Sequence, residues 1–284
     1  MDLEVVGSSP TSHPKVLRHN VWQDFFYNLD MERVSKSRLK ALAAFRRQVV
    51  CDEGGVFVVE GVKMCEEALR SGFSIECICA VEEWWNDHGS VSEIPETECY
   101  EINKDELERI SSMVKPNKVW MLLRRRQVSL AHRQPLTIAL DHIQDPGNMG
   151  TIMRTADWFG LRHIVCSTDT VSCYNAKVVQ STMGAVFRTR VDYVDLHAWL
   201  NENSASGVTV YGAAVDGDNV FKTDFVSPAV VVLGNESKGL SAEISECVTH
   251  RIAIPNVGGT CESLNVASAA AILCAEFSSR HFSR

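Results

Sequence analysis

IPNVGGTCESLNVASAAAILCAEF, residues 254–277, decides the fold. It opens as a strand end at Ile254-Pro255, crosses a loop containing Gly258 and Gly259, and enters a long apolar helix. Ser263, Leu264 and Asn265 stand together where that helix begins, and the free N–H groups and partial positive charge of a helix mouth suit a bound ligand. The same letters read equally well as an ordinary capped terminal helix, with Ser263 as N-cap and Ala267 to Ile272 as core.

Two earlier stretches bear on the choice. In DPGNMGTIMRTADWFG, residues 145–160, Asp145-Pro146-Gly147 turns the chain at a strand end and Asn148 is a natural N-cap for a helix over 148–160. Gly150 admits close approach of backbone or ligand, and Arg154 lies six residues beyond Asn148, near enough along the helix to border one cavity with it. A capped helix carrying a surface arginine fits these letters too. In VVVLGNESKGLS, residues 230–241, a strand too apolar for a sheet edge runs into a polar loop from Gly234 to Gly239. That loop falls at the carboxyl end of a sheet, where open α/β sheets bind ligands. Gly234 omits a side chain that would crowd a cofactor, while Glu236 reads either as a solvated turn acid or as part of a site. No GxGxxG follows a strand and no GxxxxGK[ST] occurs, so the usual dinucleotide and phosphate loops are missing.

Together and in this order, the three stretches resemble the signature motifs of the SpoU (TrmH-like) family of RNA ribose 2′-O-methyltransferases, part of the SPOUT superfamily. The family's asparagine, glycine, arginine and threonine are matched by Asn148, Gly150, Arg154 and Thr155. The resemblance implies S-adenosyl-L-methionine as methyl donor, with Gly234, Ile254 and Leu264 against the cofactor. It implies Asn148, Arg154, Glu236, Ser263 and Asn265 as the catalytic set, and no metal. It also implies a deep trefoil knot, made where the last segment threads a loop, and a homodimer formed through the C-terminal domain that completes the active site. The apolar, cysteine-rich positions of 263–277 supply surface for that dimer. Asn256 stands where the family often has methionine, and the NVGGTCE loop, 256–262, is peculiar to this chain.

A chain of 284 residues has a length prior of about two domains. The pattern divides it into an extension over 1–30, disordered at its start, an α/β domain over 31–127, a linker over 128–135 closed by Pro135, and a second domain over 136–284. In the second, buried strands alternate with helices, which gives an open parallel sheet. In the first, GGVFVVEG, SIECICAV, TECYEIN and KVWMLLRRR read as strands, with helices over 35–47, VKMCEEALRSG and KDELERISSM. This part resembles the substrate-binding domain many SpoU enzymes carry, through the basic helix at 35–47, FVVEGVKMCEEAL at 57–69 and the stretch 104–123. MVKPNKVW, 113–120, replaces the family's threonine–proline–glutamine turn.

Net charge of −8 argues against a protein that coats nucleic acid indiscriminately. Two islands without acids, 33–47 and 115–126, suggest instead a local polyanion footprint, or else two solvated faces. No apolar run reaches the roughly 18 residues of a membrane span, and the N-terminus has no apolar signal core. The ten cysteines lie mostly in apolar runs, the nearest pair, Cys77 and Cys79, at no usual zinc or redox spacing. They read as buried free thiols of a reducing cytoplasm. The expected activity is cytoplasmic RNA methylation at a ribose 2′-hydroxyl, with ribosomal RNA favoured by the extra N-terminal domain. Transfer RNA, or a non-catalytic RNA-binding or ribosome-assembly role on the same fold, are the alternatives. A guanidinium has no acceptor, so Arg154 is read as a clamp on RNA phosphate and a stabiliser of the developing alkoxide, not as a base.

Overall fold

A computed structural model describes residues 32–132 and 134–281; the extension expected over 1–30 lies outside them. From Glu32 onward the chain forms one compact unit containing two sheets. The first follows α1 (Lys36–Ala43) and α2 (Gln48–Gly54) and is built from β1 (Val56–Glu60), α3 (Val62–Ser71), β2 (Ile75–Ala80), α4 (Glu82–His88), β3 (Glu98–Glu101), α5 (Lys104–Ile110) and β4 (Val119–Arg124). Its strand order is β1-β4-β2-β3, with β4 antiparallel to both neighbours and β2 parallel to β3. The apolar runs VFVV and VWMLL are buried along their length, as central strands require. Asn103 and Glu106 start α5 with a reciprocal capping box. The sequence reading passes over α2 and α4, each seven residues and too short to display a helical period. α4 is fixed by tertiary contact: Trp84 and Trp85 are both buried, and Trp84 stacks on His88 at 4.3 Å.

The second sheet comprises β5 (Leu136–Leu140), α6 (Pro146–Trp158), β6 (His163–Ser167), α7 (Ala176–Thr182), β7 (Arg190–Val194), α8 (Leu196–Ala205), β8 (Thr209–Asn219), β9 (Ala229–Leu233), α9 (Ala242–Glu246), β10 (His250–Ala253) and α10 (Val266–His281). All strands are parallel, in the order β10-β8-β9-β5-β6-β7. LTIAL and AVVVL, side by side at the centre, are buried throughout. The chain moves outward from β5 to β7 and then resumes on the other side of β5, so β5 and β9 flank the topological switch point. β8 runs longer than its pattern suggests: its pairing with β10 jumps from Gly212 to Asp218. α10 leaves the edge strand β10 and returns to pack on α6. Val266, Ala267, Ala270, Leu273, Cys274 and Phe277 are thereby buried within the chain, so they are not the free dimer surface expected of 263–277. Eight cysteines are buried, Cys99 is half-buried, Cys261 is exposed, and all ten are free. Among the described residues no helix is long and apolar enough to cross a membrane.

The two sheets meet through aromatic rings and one ion-pair network. Phe57 lies 4.7 Å from Tyr174, and Phe73 meets Phe187 edge-on at 5.5 Å. Arg188 reaches Glu67 of α3 at 2.6 Å and Asp157 of α6 at 2.9 Å. Its hydrogen bond holds the Glu67 carboxyl below the ordinary carboxylate range. A carboxyl depressed in the folded state contributes stability above its unfolded pKa and loses it as pH falls through the folded value. Arg188→Ala is therefore expected to cost about 1 kcal/mol near neutrality, a figure discounted for solvent screening. In urea titrations the gap from wild type should narrow as pH falls below the ordinary carboxylate range and through the depressed folded value of Glu67. An equal midpoint for both proteins near neutrality would mean that the network is idle.

Candidate active site

The loops after β5, β9 and β10 converge at the switch point. Asp141, just past β5, donates its N–H to the Leu233 carbonyl at 2.9 Å and accepts the Ser241 N–H on Oδ2 at 2.7 Å. Asn235 knits its own loop by accepting the N–H groups of Ser237 and Lys238, and donates from Nδ2 to the His142 carbonyl at 2.9 Å. His142 sits at φ +59°, uncommon outside glycine, and its ring meets Asp169. A hydrogen bond from Ser167, together with His142, holds Asp169 below its ordinary pKa. Neither Asp141 nor Asn235 was singled out from sequence. Their signal is weak: polar residues directly past an apolar strand, which favour turns of many kinds.

On this frame one side-chain relay joins all three motifs. Asn265 Nδ2 donates to Asn148 Oδ1 at 2.9 Å, and Asn148 Nδ2 donates to Glu236 Oε1 at 2.8 Å. These residues are 117 and 88 positions apart, so the contacts are purely tertiary. Each amide is held in one orientation by its partners, since only that choice places donors on acceptors. The caps differ from expectation. Asp145, not Asn148, caps α6 by accepting the Asn148 N–H at 2.7 Å, with Pro146 in the first turn. Asn265, not Ser263, caps α10, its Oδ1 accepting from Ala267 and Ser268. With Asp145 capping α6 and Asn265 Oδ1 capping α10, both amide atoms of Asn148 and Nδ2 of Asn265 remain for the relay.

Two glycines act against the chain itself. A Cβ on Gly150 would lie 2.4 Å from Ser181 Cβ, so the close approach it permits is of α7, not ligand. A Cβ on Gly234 would lie 2.2 Å from the Gly239 carbonyl carbon and 2.4 Å from the Leu240 nitrogen. Gly234 is thus demanded by the fold of its own loop before any cofactor is considered.

Arg154 and Ser263 stand outside the relay. Arg154 is exposed and makes no ion pair among the described residues, whereas Arg38, Arg124, Arg125, Arg162, Arg188, Arg190 and Arg251 all do. It shares an exposed stripe of α6 with Gly147, Thr151 and Trp158, the last 84% exposed. Ile254 is half-buried; Ser263 and Leu264 are exposed, as is Val257 at 97%. The basic islands are less free than their letters suggest. Arg33, Arg38, Lys118, Arg124 and Arg125 are matched by Glu101, Glu98, Glu83, Glu76 and Asp52, and Arg126 lies over the Phe73 ring.

A parallel sheet whose switch-point loops set fixed amides against a carboxylate, with an arginine on α6 that makes no ion pair among the described residues, defines a ligand-binding α/β enzyme domain of the kind that works outside its strands' carboxyl ends. The SpoU rRNA Methylase family model matches residues 135–275, and the MRM3-like substrate binding domain matches residues 36–120. A Bacillus subtilis 23S rRNA (guanosine(2553)-2′-O)-methyltransferase is 32% identical over 223 residues, 76% of this chain and 86% of that protein. Among solved structures, a protein assigned to the TrmH family of RNA methyltransferases from Porphyromonas gingivalis superposes with a TM-score of 0.78 at 33% identity, covering 87% of this chain and 99% of that one. An AdoMet-bound rRNA methyltransferase from Sinorhizobium meliloti gives 0.76 at 28% identity, covering 88% and 97%. The chain belongs to the SpoU methylase family.

Proposed function

We propose that this chain is an S-adenosylmethionine-dependent RNA methyltransferase that modifies a ribose 2′-hydroxyl, with ribosomal RNA as its substrate. The observation that carries the reading is the Asn265–Asn148–Glu236 relay, which brings residues of all three motifs to one place. Ribosomal RNA is supported by the Bacillus relative, whose similarity extends across 86% of its length and is named for 23S rRNA. S-adenosylmethionine supplies an electrophilic methyl on a sulfonium. The residues present fit it: Leu264, 52% exposed, and Val257 offer uncovered apolar surface in the loop after β10.

Bound at these loops, S-adenosylmethionine would give its methyl to the ribose oxygen and keep the sulfur as a thioether, the hydroxyl proton passing to the neighbouring RNA phosphate. Holding oxygen and methyl in line accounts for much of such a rate. Asn148, fixed between Glu236 and Asn265, orients the ribose, and Ser263 adds a hydroxyl at the same mouth. Arg154, which makes no ion pair among the described residues, grips a phosphate and stabilises the developing alkoxide. Residues 31–127 hold the RNA, 128–135 link, and 136–284 catalyse. The last segment threads a loop into a trefoil knot, a reading supported by the return of α10 from the sheet edge to α6. Two copies pair through the C-terminal domain, for which exposed Trp158, on the same stripe as Arg154, supplies apolar surface. The buried free thiols support a cytoplasmic setting.

Ribosomal RNA from cells lacking the protein, incubated with methyl-tritiated S-adenosylmethionine and the full chain, should take up label that survives alkaline hydrolysis as a dinucleotide. A blocked 2′-oxygen cannot attack its neighbouring phosphate. Label released as a methylated base would refute ribose chemistry, and absence of label in ribosomal RNA alongside labelling of transfer RNA would reassign the substrate. Sedimentation at micromolar concentration should show a dimer.

A further inference from the structure

Beside the relay lies a cleft of about 670 Å³ walled by both sheets' elements. Its lining includes Val58 and Glu60 of β1, Ser112 to Lys115 after α5, Asp145 to Gly147 at the start of α6, and Lys177 and Gln180 of α7. It therefore ends one residue short of Asn148. The loop that forms one wall belongs to MVKPNKVW, the stretch where this chain departs from its family's turn. That volume lies within the range of small-ligand pockets.

The lining is divided by chemistry. Met113, Val114 and Pro146 give apolar surface, with Val58 and Val179 buried in the wall behind and Val114 99% exposed and uncovered. Lys115 and Lys177 are exposed and make no ion pair among the described residues, unlike Lys118, Arg124 and Arg125 nearby in sequence to Lys115. Glu60 is 6% exposed yet borders the cleft. Its carboxylate accepts the Ser112 N–H at 2.9 Å on Oε1 and the Ser111 hydroxyl on Oε2, which leaves each oxygen a further lone pair. Burial pushes its pKa up, the two donors pulling it back. The other acid of the lining, Asp145, is engaged in capping Asn148.

An apolar surface for a flat ring, cations for a phosphate and a buried acceptor for an N–H donor are the three elements by which proteins hold an unstacked nucleotide. We propose that this cleft holds one unpaired nucleotide flanking the methylated ribose, its phosphate on Lys115 and Lys177 and its base on the apolar floor with an exocyclic amino group toward Glu60. A carboxylate accepts from the cytosine amino group and repels the uracil carbonyl at the same ring position. The inference rests on the reading of the chain as an RNA ribose methyltransferase.

Fluorescence anisotropy of the full chain with end-labelled oligocytidylate, oligouridylate and an RNA duplex tests it. Oligocytidylate should bind about fivefold tighter than oligouridylate, a modest discrimination for one base contact, and both tighter than duplex. Lys115→Ala with Lys177→Ala should weaken both single strands about tenfold and flatten their salt dependence by about one in log–log slope. These two side chains are exposed, so the fold is not at stake. Glu60→Gln should bring the two oligonucleotides to equal affinity, checked against an unchanged melting temperature; should it melt early, the wild-type preference for cytidylate over uridylate still decides base reading. Unchanged binding by the lysine pair, equal wild-type affinity for the two strands, or tighter duplex binding would each overturn the proposal. Oligonucleotide binding requires no methyl donor. A wild type that binds as expected but transfers no label to any RNA would instead overturn the enzymatic reading and leave the cleft standing.

Discussion

Arg154→Ala and Arg154→Lys are both expected to lower single-turnover methyl transfer about a hundredfold, roughly 3 kcal/mol, while S-adenosylmethionine binds as in wild type. Arg154 is exposed and unpaired among the described residues, so removing it breaks no packing and strands no partner. Any large effect must then come from what it grips in the complex. Lysine preserves the charge but not the planar fork that holds two phosphate oxygens at once. A contact that acts only through charge would let lysine recover most of the rate, and near-normal turnover in Arg154→Lys would dismiss the clamp. The cofactor assignments lie on the other two loops, at Gly234, Ile254 and Leu264. Calorimetric titration that shows lost cofactor binding in a folded Arg154 variant would place the residue in a different pocket.

Gly234→Ala should be the most damaging single methyl in the molecule, and Gly239→Ala the instructive control beside it. The new carbon at position 234 would sit 2.2 Å from one backbone atom and 2.4 Å from two others, and backbone has no rotamer with which to move away. The loop must open, which withdraws Glu236 from Asn148 and the Asn235 side chain from the His142 carbonyl. A cost of about 3 kcal/mol in stability is expected, in the upper range for overpacking, together with loss of transfer exceeding a hundredfold. At Gly239 an added Cβ meets nothing, and the only penalty is a left-handed φ of +69°, about 1 kcal/mol. Chemical denaturation and tritium transfer on the two variants separate crowding from backbone strain. Similar small losses in both would mean that the loop relaxes freely and that Gly234 does not lock Glu236 in place.

The sequence by itself determined the architecture. Runs such as LTIAL and AVVVL are too apolar for anything but strands buried on both faces, and their alternation with helical stretches admits an open parallel sheet. The order of three motifs was legible too, because each lies within at most 24 consecutive residues. What the letters could not decide was which polar atoms face each other. Asn148 and Ser263 were natural caps on local grounds, yet Asp145 and Asn265 took those positions, because helix starts shift by a turn at little local cost. Gly234 and Gly150 announced a need for space, but only packing showed that the space is filled by the loop's own backbone in one case and by α7 in the other. The basic islands were visible as charge, whereas the carboxylates that pair with Arg33, Arg38, Lys118, Arg124 and Arg125 come from β2, β3, α2 and α4. Local periodicity fixes elements because it acts between neighbours in sequence; the relay from Asn265 through Asn148 to Glu236 spans residues about a hundred apart, and only the folded sheet, by setting three loop ends side by side, brings them within hydrogen-bonding distance.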